Sequence, residues 1–217
     1  MSGKLNQDIV SIFKSKFEDN CVGLLIDAYN SLKKSGRNVN EESENNITAQ
    51  IVGYMKKNPK RTDLQINLER ENYLDGEDIY DGIENADKSS RIDIKFSVWN
   101  SNMEYEFYME AKNLAENNWK KKSTNAVVNA NKLQKRYIDT GIDNFTNGRY
   151  PNGCLLGYVL DGTTSKVVEL INKLLISAKR KMEMLSWYNK YQVDYHYISE
   201  HKGTSVPTLK HFLLNLT

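Results

Sequence analysis

Two acidic residues and one lysine lie on neighbouring segments that alternate between polar and apolar side chains. Asp93 belongs to segment 91–99, and Glu110 and Lys112 belong to segment 104–112. Alternation with a period of two is typical of a β-strand with one buried face. Carboxylate oxygens suit a hard divalent cation, and a nearby ammonium could orient or activate a metal-bound water. These residue types therefore indicate metal-dependent chemistry.

A short connection between the two segments predicts how they pair. Residues 100–103 read Asn-Ser-Asn-Met, which is typical of a tight turn. With Ser101 and Asn102 as the two loop residues, Asp93 faces Glu110 on one side of an antiparallel hairpin. We expect the apolar residues of both strands to share the opposite, core-facing side. These residues are Ile92, Ile94, Phe96, Val98, Tyr105, Phe107, Met109 and Ala111.

The facing carboxylates have two interpretations. Like charges opposite each other in a ladder are unfavourable by roughly 0.2 to 1 kcal/mol, the size of the gain from an opposite-charge pair. A bound divalent cation would compensate that repulsion. Alternatively, both acids belong to a solvated sheet face on which Arg91, Lys95 and Lys112 neutralise them. The pattern alone leaves both interpretations open.

An amphipathic helix is predicted upstream of the hairpin, over residues 41–57. Its apolar stripe includes Ile47 and Ile51, and it ends near Asn58, which precedes a proline. Glu44 lies at the inward-facing end of that stripe. Acidic residues are also favoured in the first turn of a helix by the helix dipole, so a purely structural role for Glu44 stays open.

The arrangement resembles the PD-(D/E)XK nuclease superfamily, which has the restriction-endonuclease-like fold. The residues that carry the resemblance are Asp93 on one strand, and Glu110 and Lys112 spaced as Glu-x-Lys on the next, after a helix with an acidic residue. The similar region covers residues 41–160. Ile92 stands where the superfamily has the proline that names its motif, a departure that leaves the metal ligands intact.

The resemblance implies a Mg²⁺ site, or one for Mn²⁺, and assigns roles to its residues. Asp93 and Glu110 would hold the metal together with the main-chain carbonyl of Ala111. Lys112 would serve the nucleophilic water. Glu44 would be the acidic residue that touches the metal site from the helix, either directly or through water.

Basic residues follow the Glu-x-Lys segment and indicate where nucleic acid would bind. They fall in a lysine run and on a predicted helix over residues 123–140. Positive charge beside a metal site suits a phosphate backbone. A solvated loop for the lysine run and a core position for Tyr137 are the alternatives. The expected contacts are Lys120, Lys121, Lys122, Lys132, Gln134, Lys135, Arg136 and Tyr137.

Composition permits this function without requiring it. The chain has 217 residues, a formal net charge of +2 and a pI of about 8.3, so any basic surface must be local. Cys21 and Cys154 lack metal-like spacing and are expected to be buried thiols in a reducing compartment. No amino-terminal signal and no apolar run of membrane-spanning length is present. We therefore expect a cytoplasmic protein without a membrane partner.

The predicted fold is an α/β restriction-endonuclease-like domain, with a mixed sheet flanked by helices. It spans 1–217, with amino-terminal helices in 1–40, an αβββαβ core in 41–160 and a carboxy-terminal helix and strand extension in 161–217. The connection 71–90 is acidic and polar. His201 is expected in an exposed loop without function. The remaining predicted elements are helices 5–17, 21–34 and 164–182, and strands 64–68, 153–160, 193–199 and 209–216.

The function expected from this site is Mg²⁺-dependent hydrolysis of phosphodiester bonds, most readily in DNA. Such an enzyme could act in bacterial defence against phage or another mobile element. Two alternatives are a nuclease-like fold that only binds nucleic acid or protein, and a ribonuclease with the same metal chemistry. A homodimer, or a subunit of a larger defence system, is compatible with cutting both strands.

Overall fold

The structure, a computed structural model, is built on a mixed β-sheet flanked by helices on both faces. It describes residues 7–74, 77–81, 83, 89–100 and 103–217. The predicted turn residues Ser101 and Asn102, the predicted helix start at residue 5 and part of the 71–90 connection lie outside the described residues.

The sheet contains seven of the strands that the structure describes, in the order β1-β2-β3-β6-β9-β8-β7. The central strands β3, β6 and β9 run parallel, and the pairs nearer each edge are antiparallel. A separate hairpin pairs β4 with β5. The strands are β1 Asn67–Leu74, β2 Ser90–Asn100, β3 Met103–Leu114, β4 Trp119–Lys120, β5 Val127–Val128, β6 Cys154–Val159, β7 Ser186–Trp187, β8 His196–Glu200 and β9 Thr208–Asn215.

Helices cover both faces of the sheet. Helices α1 and α2 pack against one face, and α5, α6 and α7 pack against the other. The helices are α1 Gln7–Lys34, α2 Glu44–Lys57, α3 Pro59–Asp63, α4 Glu77–Tyr80, α5 Ala130–Tyr137, α6 Asp143–Thr146 and α7 Thr164–Ser177; a π-helical turn covers Ile138–Ile142 and a 3-10 turn Lys181–Glu183. In the described part of the chain, no helix has the length and apolar character needed to cross a membrane.

Several predicted helix boundaries are wrong, among them the end of helix 164–182, since α7 ends at Ser177. The segments 5–17 and 21–34 were expected to be separate helices, but α1 is continuous from Gln7. Phe17 and Cys21 are four residues apart and both buried in one cluster, so the apolar face continues through the predicted break. The predicted helix 123–140 begins at Ala130, where the side chain of Asn129 caps it by accepting from the amide of Lys132 at 2.9 Å.

The predicted hairpin register is confirmed for the pairs between β2 and β3, which run from Ile94 opposite Met109 to Asn100 opposite Met103. Ile94 and Phe96 share a core cluster with the apolar residues of β3, as predicted. Ile92 does not, because it packs in the cluster on the opposite face of the sheet. Alternation is therefore interrupted at Asp93.

The neighbouring strand β1 is also irregular at this position. Arg70 pairs with Ile94, and Asn72 pairs with Ile92, so Glu71 lies across from Asp93. Glu71 has a φ of 54°, in the left-handed region that strands do not use. This irregular residue lets the edge of the sheet change direction where the candidate site begins.

Candidate active site

The candidate site forms where β2 separates from β3. Main-chain pairing between the two strands is recorded as far as Ile94 and Met109. One position further, the Oδ2 atom of Asp93 accepts a hydrogen bond from the amide of Ala111 at 2.7 Å. A side-chain oxygen thus takes the place of a main-chain acceptor, and it holds the carboxylate against the edge of β3.

Glu44 binds the same edge of β3 two residues further on. Its Oε2 atom accepts from the amide of Asn113 at 2.9 Å. The sequence explains where Glu44 lies. Ser43 caps α2 by accepting from the amide of Asn46, so Glu44 is the first helical residue. Glu44 is therefore an acid in the first turn of α2, as the structural interpretation expected, and it also contacts β3 directly.

Glu110 and Lys112 lie on the opposite side of β3 from the α2 helix and are both buried. Glu110 is 6% exposed and Lys112 is 4% exposed, so a solvated face is wrong for these two residues, whereas Asp93 is half-buried. The Nζ atom of Lys112 donates to Oε1 of Glu110. Lys95 does not serve the two predicted acids, because it pairs with Glu106.

Burial controls the protonation of Glu110. It raises the pKa of this carboxyl from 4.5 to about 7, because the ionised form loses its hydration. The negative charge of Asp93 raises the pKa further, while Lys112 and a hydrogen bond from Tyr150 oppose the rise. The carboxylate of Glu110 thus lies near a second carboxylate, that of Asp93, and near one ammonium, that of Lys112.

The ammonium of Lys112 lies among the oxygens that the resemblance assigns to a metal. Besides Glu110, it donates to the carbonyl of Ala111 at 2.9 Å and lies 4.0 Å from Oε1 of Glu44. We call Glu44, Asp93, Glu110 and Lys112 the carboxylate cluster. In this conformation Lys112 pairs with Glu110, while Asp93 and Glu44 accept from the amides of Ala111 and Asn113.

The oxygen donors of the carboxylate cluster suit a hard cation such as Mg²⁺ in type. Their present arrangement does not form a cage: over the residues that the structure describes, no three His, Cys, Asp or Glu side chains are grouped closely enough to hold a metal ion. Asp93 and Glu44 each use one oxygen on a main-chain amide, and Glu110 uses one on Lys112. A divalent cation would fit only if the Lys112 ammonium moved aside.

Basic side chains line the helix next to the carboxylate cluster. The Nη2 atom of Arg136 lies 3.1 Å from Oε1 of Glu44. Arg136, Lys132 and Lys135 line a surface depression of about 580 Å³ along α5. We call these three residues the basic face of α5.

The lysine run lies on the β4–β5 hairpin. Its connection is fixed by Glu41, whose carboxylate accepts from the amides of Lys122 and Ser123 at 2.6 and 3.0 Å. Lys121 donates to the main-chain carbonyl of Glu41, whereas Lys120 is exposed. The hairpin is thereby attached to the segment that leads into Glu44.

Two of the residues predicted to bind substrate are buried. Gln134 donates to the carbonyl of Ala115 at 2.7 Å, and Tyr137 has no exposed surface. The phenol of Tyr137 lies over Gly157, where an added Cβ would come 3.4 Å from the ring and 2.6 Å from Leu114. Both side chains position α5 against the sheet in this conformation.

Tyr150 belongs to the site, although no pattern in the sequence predicted its role. Its hydroxyl donates to the carbonyl of Arg91 at 2.9 Å and lies 3.2 Å from Oε2 of Glu110. The residue is 1% exposed and lies in the turn-rich loop before β6. A turn-rich loop has no periodic pattern that could have predicted an inward-facing phenol.

A second buried polar group lies on the same face of the sheet, and its members were also missed. We call it the imidazole relay. It joins Tyr137 to His211 at 2.9 Å, His211 to Ser199 at 2.7 Å, Ser199 to His201 at 2.6 Å, and His201 to Glu183 at 2.9 Å. The expectation of an exposed His201 is wrong, because this residue is 3% exposed.

The chemistry of the imidazole relay fixes the direction of each hydrogen bond. Arg180 lowers the pKa of Glu183, which is therefore ionised, and burial lowers the pKa of both histidines. Neutral His201 must donate from Nδ1 to Glu183 and accept from Ser199 at Nε2. Ser199 then accepts from His211. The remaining ring nitrogen of His211 accepts from Tyr137.

The central part of the imidazole relay resembles a Ser-His-Glu hydrolytic triad in its contacts, but not in its access. Ser199 is 1% exposed, and its oxygen also accepts from His211. A nucleophile must reach its substrate, so this serine has no route to one in the described conformation. The relay is a closed structural network.

Comparisons were made with models of protein families, with curated proteins and with solved structures, and none of the three finds a match. The resemblance to the PD-(D/E)XK nucleases consequently depends on the residues of the hairpin and of α2.

Proposed function

We propose that this protein is a metal-dependent nuclease with a restriction-endonuclease-like core, and that it hydrolyses phosphodiester bonds, most readily in DNA. The observation that carries the proposal is the meeting of Asp93, Glu44, Glu110 and Lys112 around the edge of β3. Glu44 comes from a helix well before the hairpin in sequence, and the other three residues come from the two strands of the hairpin. A solvated face would not bury Glu110 and Lys112, which are 6% and 4% exposed.

Bound Mg²⁺ or Mn²⁺ would polarise the scissile phosphate and lower the pKa of the attacking water. Asp93 and Glu110, both ionised, would hold the metal with the carbonyl of Ala111. Lys112, released from Glu110, would donate to the water or to a phosphate oxygen. Glu44 would accept from Lys112 in its new position, since it already lies 4.0 Å away.

The basic face of α5 supports a polyanionic substrate. Lys132, Lys135 and Arg136 project from one helix, and Arg136 contacts Glu44. Lys120 adds a cation on the adjoining hairpin. Such side chains bind phosphates of any nucleic-acid sequence, and the affinity of the protein for nucleic acid falls as the salt concentration is raised.

A binding protein without catalysis is the second candidate function. The observation that favours it is the Lys112 ammonium, which already pairs with Glu110 and donates to the carbonyl of Ala111. A protein that never binds metal would keep this ion pair as a structural element. The two functions differ in whether an added divalent metal binds the protein and changes its stability or its activity.

A cleavage assay tests the proposal. Plasmid, single-stranded DNA and RNA are incubated with Mg²⁺, Mn²⁺ or EDTA. We expect cleavage with metal only, and loss of cleavage in Glu110→Gln, which keeps the shape and removes a charged ligand. Glu106→Gln is the matched control, because Glu106 lies on the same strand and pairs with Lys95. Equal cleavage in EDTA and in Mg²⁺ contradicts the metal mechanism.

A further inference from the structure

The loop before β6 brings a phenol into the gap between β2 and β3. Tyr150 is buried, and its ring packs edge-on against Phe145 with a centroid distance of 5.2 Å. Its amide donates to the carbonyl of Asn144 at 3.1 Å, so the start of the loop is tied to α6.

The other end of the loop is tied to β3. Gly153 has a φ of +133°, and a Cβ on this residue would lie 2.2 Å from the carbonyl oxygen of Tyr108. Only glycine allows such a close approach between the loop and the strand. Tyr108 precedes Glu110 by two residues, so the loop is fixed directly beside the carboxylate.

The hydroxyl of Tyr150 therefore lies at a defined point between two strands. Its proton is shared between two acceptors, the carbonyl of Arg91 at 2.9 Å and Oε2 of Glu110 at 3.2 Å. The other oxygen of Glu110 contacts Lys112. Both carboxylate oxygens thus have a partner on opposite sides, which restricts rotation of the carboxylate plane.

We propose that Tyr150 is a positioning residue, whose hydroxyl orients the Glu110 carboxylate for a divalent cation when Lys112 moves aside. This inference rests on the proposed function. With the ammonium gone, Oε1 would be free for the metal while Tyr150 still restrained Oε2. Groups that orient metal ligands in this way typically change metal affinity by about 10- to 100-fold when they are removed.

A purely structural role for the hydroxyl makes a different prediction. The bond to Arg91 is the shorter of the two, and a buried carbonyl needs a donor. If that bond were the only purpose of the hydroxyl, Tyr150→Phe would lower the melting temperature and leave metal affinity unchanged.

Titration calorimetry with Mn²⁺ separates the two roles. We compare wild type, Tyr150→Phe and the control Tyr29→Phe, whose buried hydroxyl donates to the carbonyl of Asn215 at 2.8 Å. We expect Tyr150→Phe to weaken Mn²⁺ binding about 10-fold, and Tyr29→Phe to bind like wild type. In the cleavage assay, excess Mn²⁺ should restore the rate of Tyr150→Phe while its KM for nucleic acid stays that of wild type.

Equal Mn²⁺ affinity in wild type and Tyr150→Phe overturns the positioning role and leaves the proposed nuclease intact. Absence of Mn²⁺ binding in wild type, with and without duplex DNA, overturns both. Circular dichroism verifies the fold of each variant. If Tyr150→Phe is unfolded at the assay temperature, Tyr150→Met, which also lacks the hydroxyl, is measured in its place with the same two outcomes.

Discussion

The carboxylate cluster and the imidazole relay both contain buried polar side chains, yet they differ in how their charges are balanced. In the relay, each side chain from Tyr137 to Glu183 has a partner, and the directions of the bonds follow from neutral histidines. In the cluster, two acids lie close together, and burial raises the pKa of Glu110 to about 7.

The difference indicates what each group is for. A complete hydrogen-bonded network contributes to stability and needs nothing from outside. A buried acid beside a second acid, paired with one internal ammonium, is retained at a cost in stability, and such sites are candidates for function. The two regions should therefore respond in opposite ways to substitution and to pH.

The largest expected effect is the pH dependence that Glu110 adds to stability. Its pKa is about 7 in the folded protein and 4.5 in the unfolded chain, so the folded state binds more protons between these values. Its contribution is complete below pH 4.5 and is lost as the pH rises through 7. The loss is on the order of 3 kcal/mol, since one pKa unit corresponds to 1.36 kcal/mol.

Urea unfolding of wild type and Glu110→Gln in metal-free buffer measures this effect. The stability of wild type relative to the variant should fall between pH 4.5 and pH 8. The imidazole relay has the opposite sign, because the low pKa of His211 destabilises the fold as the pH drops below 6.5. If the difference in the free energy of unfolding between wild type and Glu110→Gln does not change with pH, this description of the carboxylate cluster is wrong.

The next effect concerns the imidazole relay. Ser199→Ala should destabilise the protein by roughly 1–3 kcal/mol, because it leaves nitrogens of His201 and His211 buried without partners. Ser177→Ala is the matched control, since the Ser177 hydroxyl only bonds to a carbonyl on the exposed side of α7. Chemical denaturation at pH 7.5 compares them, and equal stability of the two variants would show that the relay is not a structural network.

The carboxylate cluster should respond differently to Asp93→Asn. This change removes a charge beside Glu110 and keeps an oxygen that can accept from the amide of Ala111. We expect unchanged stability without metal, or a gain of a few tenths to about 1 kcal/mol. The same denaturation experiment measures it, and a loss as large as that of Ser199→Ala would contradict the distinction between the two regions.

The sequence predicted the carboxylate cluster better than the rest of the molecule, for a physical reason. Alternation along β2 and β3 determines which residues face each other, and the spacing of apolar residues in α2 determines where Glu44 points. Both signals are local. They predicted the register of β2 against β3 and the place of Glu44 at the start of α2, whereas the alternation is interrupted at Asp93 and the contact of Asp93 with the amide of Ala111 was not predicted.

The parts that were missed depend on contacts distant in sequence. Tyr150 reaches Glu110 through a loop held by Gly153, and the imidazole relay joins residues of α5, β8, β9 and a 3-10 turn. His201 follows a strand, and its polar neighbours resemble those of an exposed loop. Such networks have no signature in periodicity, because tertiary packing decides which polar residues become buried.

The most direct test of the metal site is thermal melting of wild type, Asp93→Asn and Glu110→Gln, with and without millimolar Mn²⁺. A ligand that binds only the folded state raises its stability by mass action. We predict that Mn²⁺ raises the melting temperature of wild type, more at pH 8 than at pH 6 because protons compete for Glu110, and leaves both variants unchanged. No rise in wild type, with duplex DNA present or absent, or an equal rise in all three proteins, would contradict the assignment of the carboxylate cluster as a metal site.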